Sequence, residues 1–186
     1  MWPWEHLAFG YVCYALGSRG WDGRPPSNAA ALALAVGTQF PDLVDKPLAW
    51  GLDVLPSGVS LGHSIFAAVP VVGAVLLAAD RRGRRAVGAA FAVGYLSHLA
   101  GDGLYPLLVG GELSLRYLLW PLVPTADAGQ PFLATVWTFW DKFVRFLGTP
   151  RGRLYLAAEV AFLAGAVALW LWDGTPGIPR PEREHT

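Results

Sequence analysis

Tyr95-Leu96-Ser97-His98-Leu99-Ala100-Gly101-Asp102 closes an apolar run that begins near Ala86. On a helix, residues four apart share a face, one turn from each other. His98 and Asp102 therefore point the same way. An imidazole and a carboxylate so placed can share a divalent cation or hydrogen-bond to each other. Within a segment of membrane-spanning length such groups are costly, and they mark either function or a polar tie between helices. This stretch alone leaves both readings open.

The chain around it is strongly apolar. Hydrophobic residues make up 54% of its 186 positions and charged ones only 15%, against about 25% charged in soluble domains. Nine Trp and nine Phe strengthen the membrane character. The net charge of zero offers no footprint for nucleic acid, so no nucleic-acid partner is expected. Cys13 is the only cysteine, which excludes an internal disulfide and a cysteine-based zinc site. Met1-Trp2-Pro3-Trp4-Glu5 lacks a positive leader region, and the run after it lacks a small-residue cleavage site. It reads as a retained first helix.

Six apolar segments follow, at 5–17, 29–40, 62–79, 86–108, 132–147 and 154–172. Ser27 or Asn28 caps the second, and Pro41 stops it. The first two fall short of the roughly 20 residues of a straight span, so they are half-buried or sit in a thinned bilayer. The loop at 110–131 holds an apolar island at 117–123, read as re-entrant or interfacial from its Tyr and Trp. The expected fold is all-α, an integral membrane helical bundle of about six membrane-embedded segments. Residues 1–173 form one domain and 174–186 a flexible polar tail. With the first loop inside, Arg19, Arg24, Arg81, Arg82, Arg84, Arg85, Arg145, Arg151 and Arg153 lie inside, and Lys46, Arg116, Arg180 and Arg183 outside. The positive-inside rule then puts both termini outside a cell (inner, cytoplasmic) membrane.

That topology gathers polar residues at one face. His6 opens the first segment, Asp42 and Asp45 follow the second, His63 opens the third, and His98 and Asp102 close the fourth. Imidazole with carboxylate oxygen suits zinc first, with manganese or iron(II) as alternatives. Two His and two Asp can fill one site, and the remainder can begin a second. Plainer readings exist for each. Asp42 can turn the chain after Pro41, Asp45 and Lys46 can form a solvated pair, and His6 or His63 can face the interface. Ser64 and Ser97 flank histidines as supporting hydrogen-bonders or, singly, as helix-packing serines. Glu159 in the last segment reads as half of a structural polar pair, with Asp141 or Lys142 as partner. Gly94 and Gly101 permit close helix approach. His185 in the tail reads as inert.

His6, Phe40-Pro41-Asp42-Leu43-Val44-Asp45-Lys46-Pro47, Leu61-Gly62-His63-Ser64 and the 94–102 stretch come in the order of the membrane-bound metal-dependent hydrolase family, which the chain resembles. Leu119-Trp120-Pro121-Leu122 is similar to that family's Trp-Pro stretch. The likeness covers about the first two-thirds of the chain. That family in turn resembles, distantly, the zinc-dependent phospholipase C and single-strand nuclease superfamily. The resemblance implies that Asp42, His63, His98 and Asp102 share a first metal and that His6 joins Asp102 at a second. The spacing Pro-Asp-x-x-Asp departs from the family's Pro-Asp-x-Asp at Asp45, and a further His-x-x-x-Glu that completes a three-metal cluster is missing. The expected activity is hydrolysis of a phosphoester, such as a lipid headgroup, at the outer membrane–water interface, in contact with membrane lipids. His98, Asp102 and Asp45 carry it, Asp45 as a ligand or as the base acting on water. Two rival readings are a transporter ion or proton site and a structural metal that staples short helices.

Overall fold

A Pro in the first turn and the Glu5 carboxylate, which accepts the Trp2 amide at 2.5 Å, start the first helix, α1 (Pro3–Asp22). Gly23, at φ 64, ends it, its amide reaching back to Arg19. Ser27 caps α2 (Asn28–Lys46) by accepting the Ala30 amide. Ser64 caps α3 (Ile65–Arg81), a left-handed Gly83 turns the chain, and α4 (Arg85–Val109) follows. After a short 3-10 turn at Arg116–Leu119 come α5 (Phe132–Leu147) and α6 (Pro150–Trp172), the latter capped by Thr149. The structure, a computed structural model, describes residues 1–125 and 132–178, apart from the side chains of residues 21, 22 and 132. All its helices are α except the 3-10 turn and a π turn at Pro47–Gly51, and no strand occurs among the described residues. The all-α class is as expected.

Side-chain contacts fix the directions. Trp4 meets Glu159 and Tyr11 meets Asp173, so α1 and α6 run parallel. Gln39 reaches the Pro3 carbonyl, so α2 runs against α1. Gly37 packs on Phe91 and Thr38 on His98, so α4 runs with α2; Gly88 packs on Leu76 and Ala79, so α3 runs against α4. Helices α1, α3 and α6 therefore start at the end where α2 and α4 finish. Between them lie two apolar clusters, one around Tyr11, Tyr14, Leu34 and Ala90, the other around Ala68, Phe91, Tyr95 and Tyr117.

Three expectations change. Pro41 does not stop α2, which runs another turn to Lys46. Pro41 lacks one amide bond, but its burial together with Asp42 and Asp45 holds the turn in place. The fifth segment is not seen as a span. At 16 residues α5 is short, and its ring contacts with Tyr155, Trp2 and Trp50 carry it across the end of the bundle. Only α6, among the described residues, is long and apolar enough to cross a membrane by length and composition. Because α5 stays at one end, Arg145, Arg151 and Arg153 move there too. Lys46, Arg116, Lys142, Arg145, Arg151 and Arg153 then stand at that end, and Arg19, Arg24, Arg81, Arg82, Arg84 and Arg85 at the other. Among the described residues the two ends thus carry equal numbers of Lys and Arg, so these residues give no charge bias toward an outer placement.

Of the expected tail, residues 179–186 lie outside the described residues. Trp170 donates to the Pro176 carbonyl and the Gly177 amide to Asn28, so residues 174–178 are docked. His185 lies outside the described residues.

Candidate metal centre

The last turns of α2 place Asp42 and Asp45 three residues apart, on the face that meets α4. The chain then leaves through the π turn and returns toward α3. Asp45 draws it back: its carboxylate accepts the amides of Ser60 and Gly62, each at 2.7 Å, and that of His63 at 3.2 Å. Gly62 is needed because a Cβ there would lie 2.8 Å from the Pro41 carbonyl oxygen. The Tyr95 hydroxyl donates to the Gly62 carbonyl at 2.5 Å. Together these contacts bury His63 completely.

His63 and His98 are oriented in the same manner. His63 Nδ1 lies 2.8 Å from Asp45 Oδ2, and His98 Nδ1 lies 2.6 Å from the Thr38 carbonyl oxygen. Neither acceptor can donate, so both Nδ1 atoms carry the proton. In the neutral rings both Nε2 atoms carry the lone pair, and they point to one spot, 3.0 Å apart. Asp102 Oδ2 lies 3.2 Å from His63 Nε2 and 3.3 Å from His98 Nε2; Asp42 Oδ1 lies 3.7 and 3.8 Å from the same atoms. Four ligands bonded at 2.0–2.1 Å to one tetrahedral ion stand about 3.3–3.4 Å apart. The distances bracket that value, and all four ligand atoms fall within 4.8 Å of one another. The donor set, two imidazoles and two carboxylates with no thiolate, fits a divalent cation such as zinc, manganese or iron(II). A buried Asp42 Oδ1 with no hydrogen-bond donor is consistent with such an occupant.

Around the four stand further polar groups. His6 stacks on His98 with ring centroids 3.7 Å apart, and its Nε2 is 3.2 Å from Asp102 Oδ1. Neither His6 nitrogen has a well-formed hydrogen bond. The Met1 nitrogen is 2.6 Å from the same Asp102 oxygen. Lys46 Nζ lies 2.5 Å from Asp42 Oδ2 and over the Trp50 ring. Tyr117 sets its ring edgewise to His63 and donates to the Leu99 carbonyl.

The structure thus brings Asp42, His63, His98 and Asp102 together, with His6 touching Asp102. Asp45 is the exception to the expected set. Both of its oxygens are taken by three amides and the His63 ring, and it stands outside the group of four whose ligand atoms converge. It is the carboxylate that fixes the His63 tautomer. Ser64 caps α3 and donates to the Trp120 carbonyl; Ser97 donates to the Gly94 carbonyl. Neither touches a histidine, which is the packing role. Glu159 is paired, but with the Trp4 indole at 2.9 Å rather than with Asp141 or Lys142. The Thr38 carbonyl and Tyr117 escaped sequence reasoning, since backbone acceptors and distant aromatics leave no local pattern. Lys46 did leave one: it stands four residues after Asp42, the favourable order on a helix.

Two expected outcomes follow. Asp45→Asn keeps the shape but weakens the hold on the His63 ring, so metal affinity falls about 10–100-fold with the fold intact. Equilibrium zinc titration with a chromophoric competitor measures it. The second concerns pH. Burial acts to lower the pKa of His63, but its contacts with Asp102 and Asp45 outweigh that and raise it to about 9. A value raised above the unfolded one stabilises the metal-free fold fully below about pH 6.5, and this is lost as pH rises through about 9. A cation needs the neutral ring, so binding near neutrality expels a proton. Affinity should climb about tenfold per pH unit up to about pH 9 and then level off. Calorimetry in buffers of different ionisation enthalpy reads the released proton directly.

No curated protein and no solved structure matches the chain significantly. Residues 1–175 do match one family, and they include the whole His/Asp cluster and the membrane-length α6. The chain belongs to the YdjM inner membrane protein family.

Proposed function

We propose that the chain is a membrane-embedded, metal-dependent hydrolase acting on a phosphoester at the membrane–water boundary, as its likeness to membrane-bound metal-dependent hydrolases implies. The observation that carries this reading is the convergence of two Nε2 lone pairs and two carboxylates on one point, with both Nδ1 atoms already held. A bound divalent cation would polarise a phosphoryl oxygen and make water a stronger nucleophile. The chain's part is to hold and orient. Asp42, His63, His98 and Asp102 would hold the cation, and Asp45 and the Thr38 carbonyl fix the two rings. His6 extends the donor set to Asp102 Oδ1, where a second cation would bind. Lys46, about a third exposed beside Asp42, offers positive charge to an anionic substrate at the rim. The inner membrane is the location that the family name supports.

A structural metal is the second reading, favoured by one observation: four protein ligands already suffice to close a tetrahedral site. A chelation experiment separates the two. Purified protein is stripped with EDTA, reloaded with zinc or manganese, and assayed for phosphate-ester cleavage on p-nitrophenyl phosphate and bis-(p-nitrophenyl) phosphate. Turnover that vanishes and returns while the helices stay folded supports the hydrolase. Unfolding on chelation, with no turnover in the reloaded protein, overturns it in favour of the staple.

A further inference from the structure

We infer that α5 is an interfacial helix that lies in the plane of the bilayer surface and binds lipid through one stripe of its side chains. Its sequence divides into three stripes at helical spacing. Phe143 and Phe146 turn to the bundle, where they meet Trp2 and Tyr155, and the half-exposed Phe139 meets Trp50 along the same side. Thr138, Asp141, Lys142 and Arg145 form the polar stripe, with Arg145 and Asp141 paired at 2.6 Å. Between these lies the third stripe: Leu133, Trp137, Trp140 and Val144, spaced four, three and four residues apart. Trp137 is 67% exposed and Leu133 68%, with Trp140 and Val144 about half exposed. Only Trp140 meets another described element, through an edge contact with Trp2.

A contiguous exposed stripe of this size on a monomer marks an interaction surface. Three observations name the bilayer as its occupant. First, α5 passes through Gly148 and Thr149 directly into α6, the helix long and apolar enough to cross a membrane, so it sits at one mouth of that span. Second, α6, which follows directly, has an apolar outer surface of its own, where Leu154, Val160, Val167 and Leu171 are all exposed. Third, Trp at this level is the residue that favours headgroup depth, and a short amphipathic helix with a basic polar face lies in the interface rather than crossing it.

The bundle-facing stripe gives the placement a consequence. Phe139 touches Trp50, Trp50 lies under Lys46, and Lys46 pairs with Asp42. Trp140 and Phe143 both touch Trp2, next to the Met1 nitrogen that contacts Asp102. A lipid-bound α5 therefore holds the rim of the His/Asp cluster at the depth of lipid headgroups.

Nitroxide scanning tests this without reference to catalysis. In a Cys13→Ser background, Trp137→Cys, Thr138→Cys, Lys142→Cys and Val144→Cys are spin-labelled singly and reconstituted into phosphatidylcholine vesicles. Positions 137 and 144 should collide with dissolved oxygen far more than with an aqueous nickel chelate, and the ratio should invert at 138 and 142. Equal chelate access at all four positions would overturn the inference. So would dipolar broadening at 137 and 144 that disappears on dilution with unlabelled protein, because a second copy would then cover the stripe. Val144→Cys removes little and keeps the test valid if Trp137→Cys folds poorly.

Discussion

Asp102→Asn should purify folded and without metal. Asp102 stands one turn beyond His98, with Oδ2 within 3.2–3.3 Å of both ligand nitrogens and Oδ1 against His6. Among the described residues it touches all three buried imidazoles. Replacing its carboxylate by an amide changes almost no volume and removes one charge. The amide can present its NH2 where a lone pair is needed, and it no longer balances a divalent cation among neutral rings. A supporting residue costs about 10–100-fold in affinity, and loss of a shared anionic ligand should exceed that. Bound metal should fall from about one per chain to background, read by elemental analysis of the detergent-purified protein. The helix itself has no reason to melt, because the side chain is partly exposed and the substitution is isosteric. Asp42→Asn should behave alike and Asp45→Asn should not. Full metal content in Asp102→Asn would remove the proposed centre.

Much of that centre is legible in the sequence because helices impose simple geometry. The spacing of His98 and Asp102 is enough to put them on one face. Alternating helix directions then bring His6, Asp42 and His63 to the same end, whatever the lengths of the connections. What is not legible is which carboxylate faces the spot and which faces the backbone. Asp42 and Asp45 are equivalent as letters. Only the returning loop, with its amides at 60, 62 and 63, turns Asp45 into a support. Pro41 misleads for a related reason, since a local rule about helix stops yields to burial of three residues on one face. Helix α5 is a different case, because the signal for its placement is present in the sequence. Counted as a run of apolar letters, 132–147 reads as a span. Read at a period of 3.6, its charges at 141, 142 and 145 line up on one side. Laying that one helix across the end carries Arg145, Arg151 and Arg153 to the other end and evens the charges among the described residues.

Gly94→Ala should destabilise the fold and weaken the metal site together, by a single methyl group. Helices α2 and α4 cross so closely that a Cβ at Gly94 would lie 2.5 Å from the Leu34 carbonyl oxygen and 2.9 Å from the Thr38 amide nitrogen. Both are backbone atoms and cannot swing away as a side chain would, so the helices must part. Overpacking of this kind costs about 1–3 kcal/mol, or roughly 2–4 °C of Tm for each kcal/mol in a chain of this size. The parting acts on the site as well. The Thr38 carbonyl holds His98 Nδ1, and Asp42 lies one turn further along the same helix. Separating α2 from α4 lengthens the first contact and draws Asp42 away from the second ligand ring. Two other glycines supply the contrast. At Gly101 the nearest obstacle is the flexible Met1 sulfur, which can move, so Gly101→Ala should cost little. At Gly73 a Cβ meets nothing within 4 Å, so Gly73→Ala should be neutral or gain up to about 1 kcal/mol from helix propensity. Thermal unfolding followed by near-UV circular dichroism, with zinc and with EDTA, ranks the three. If Gly94→Ala melts with Gly73→Ala and binds zinc as the parent does, then α2 and α4 do not set the position of His98.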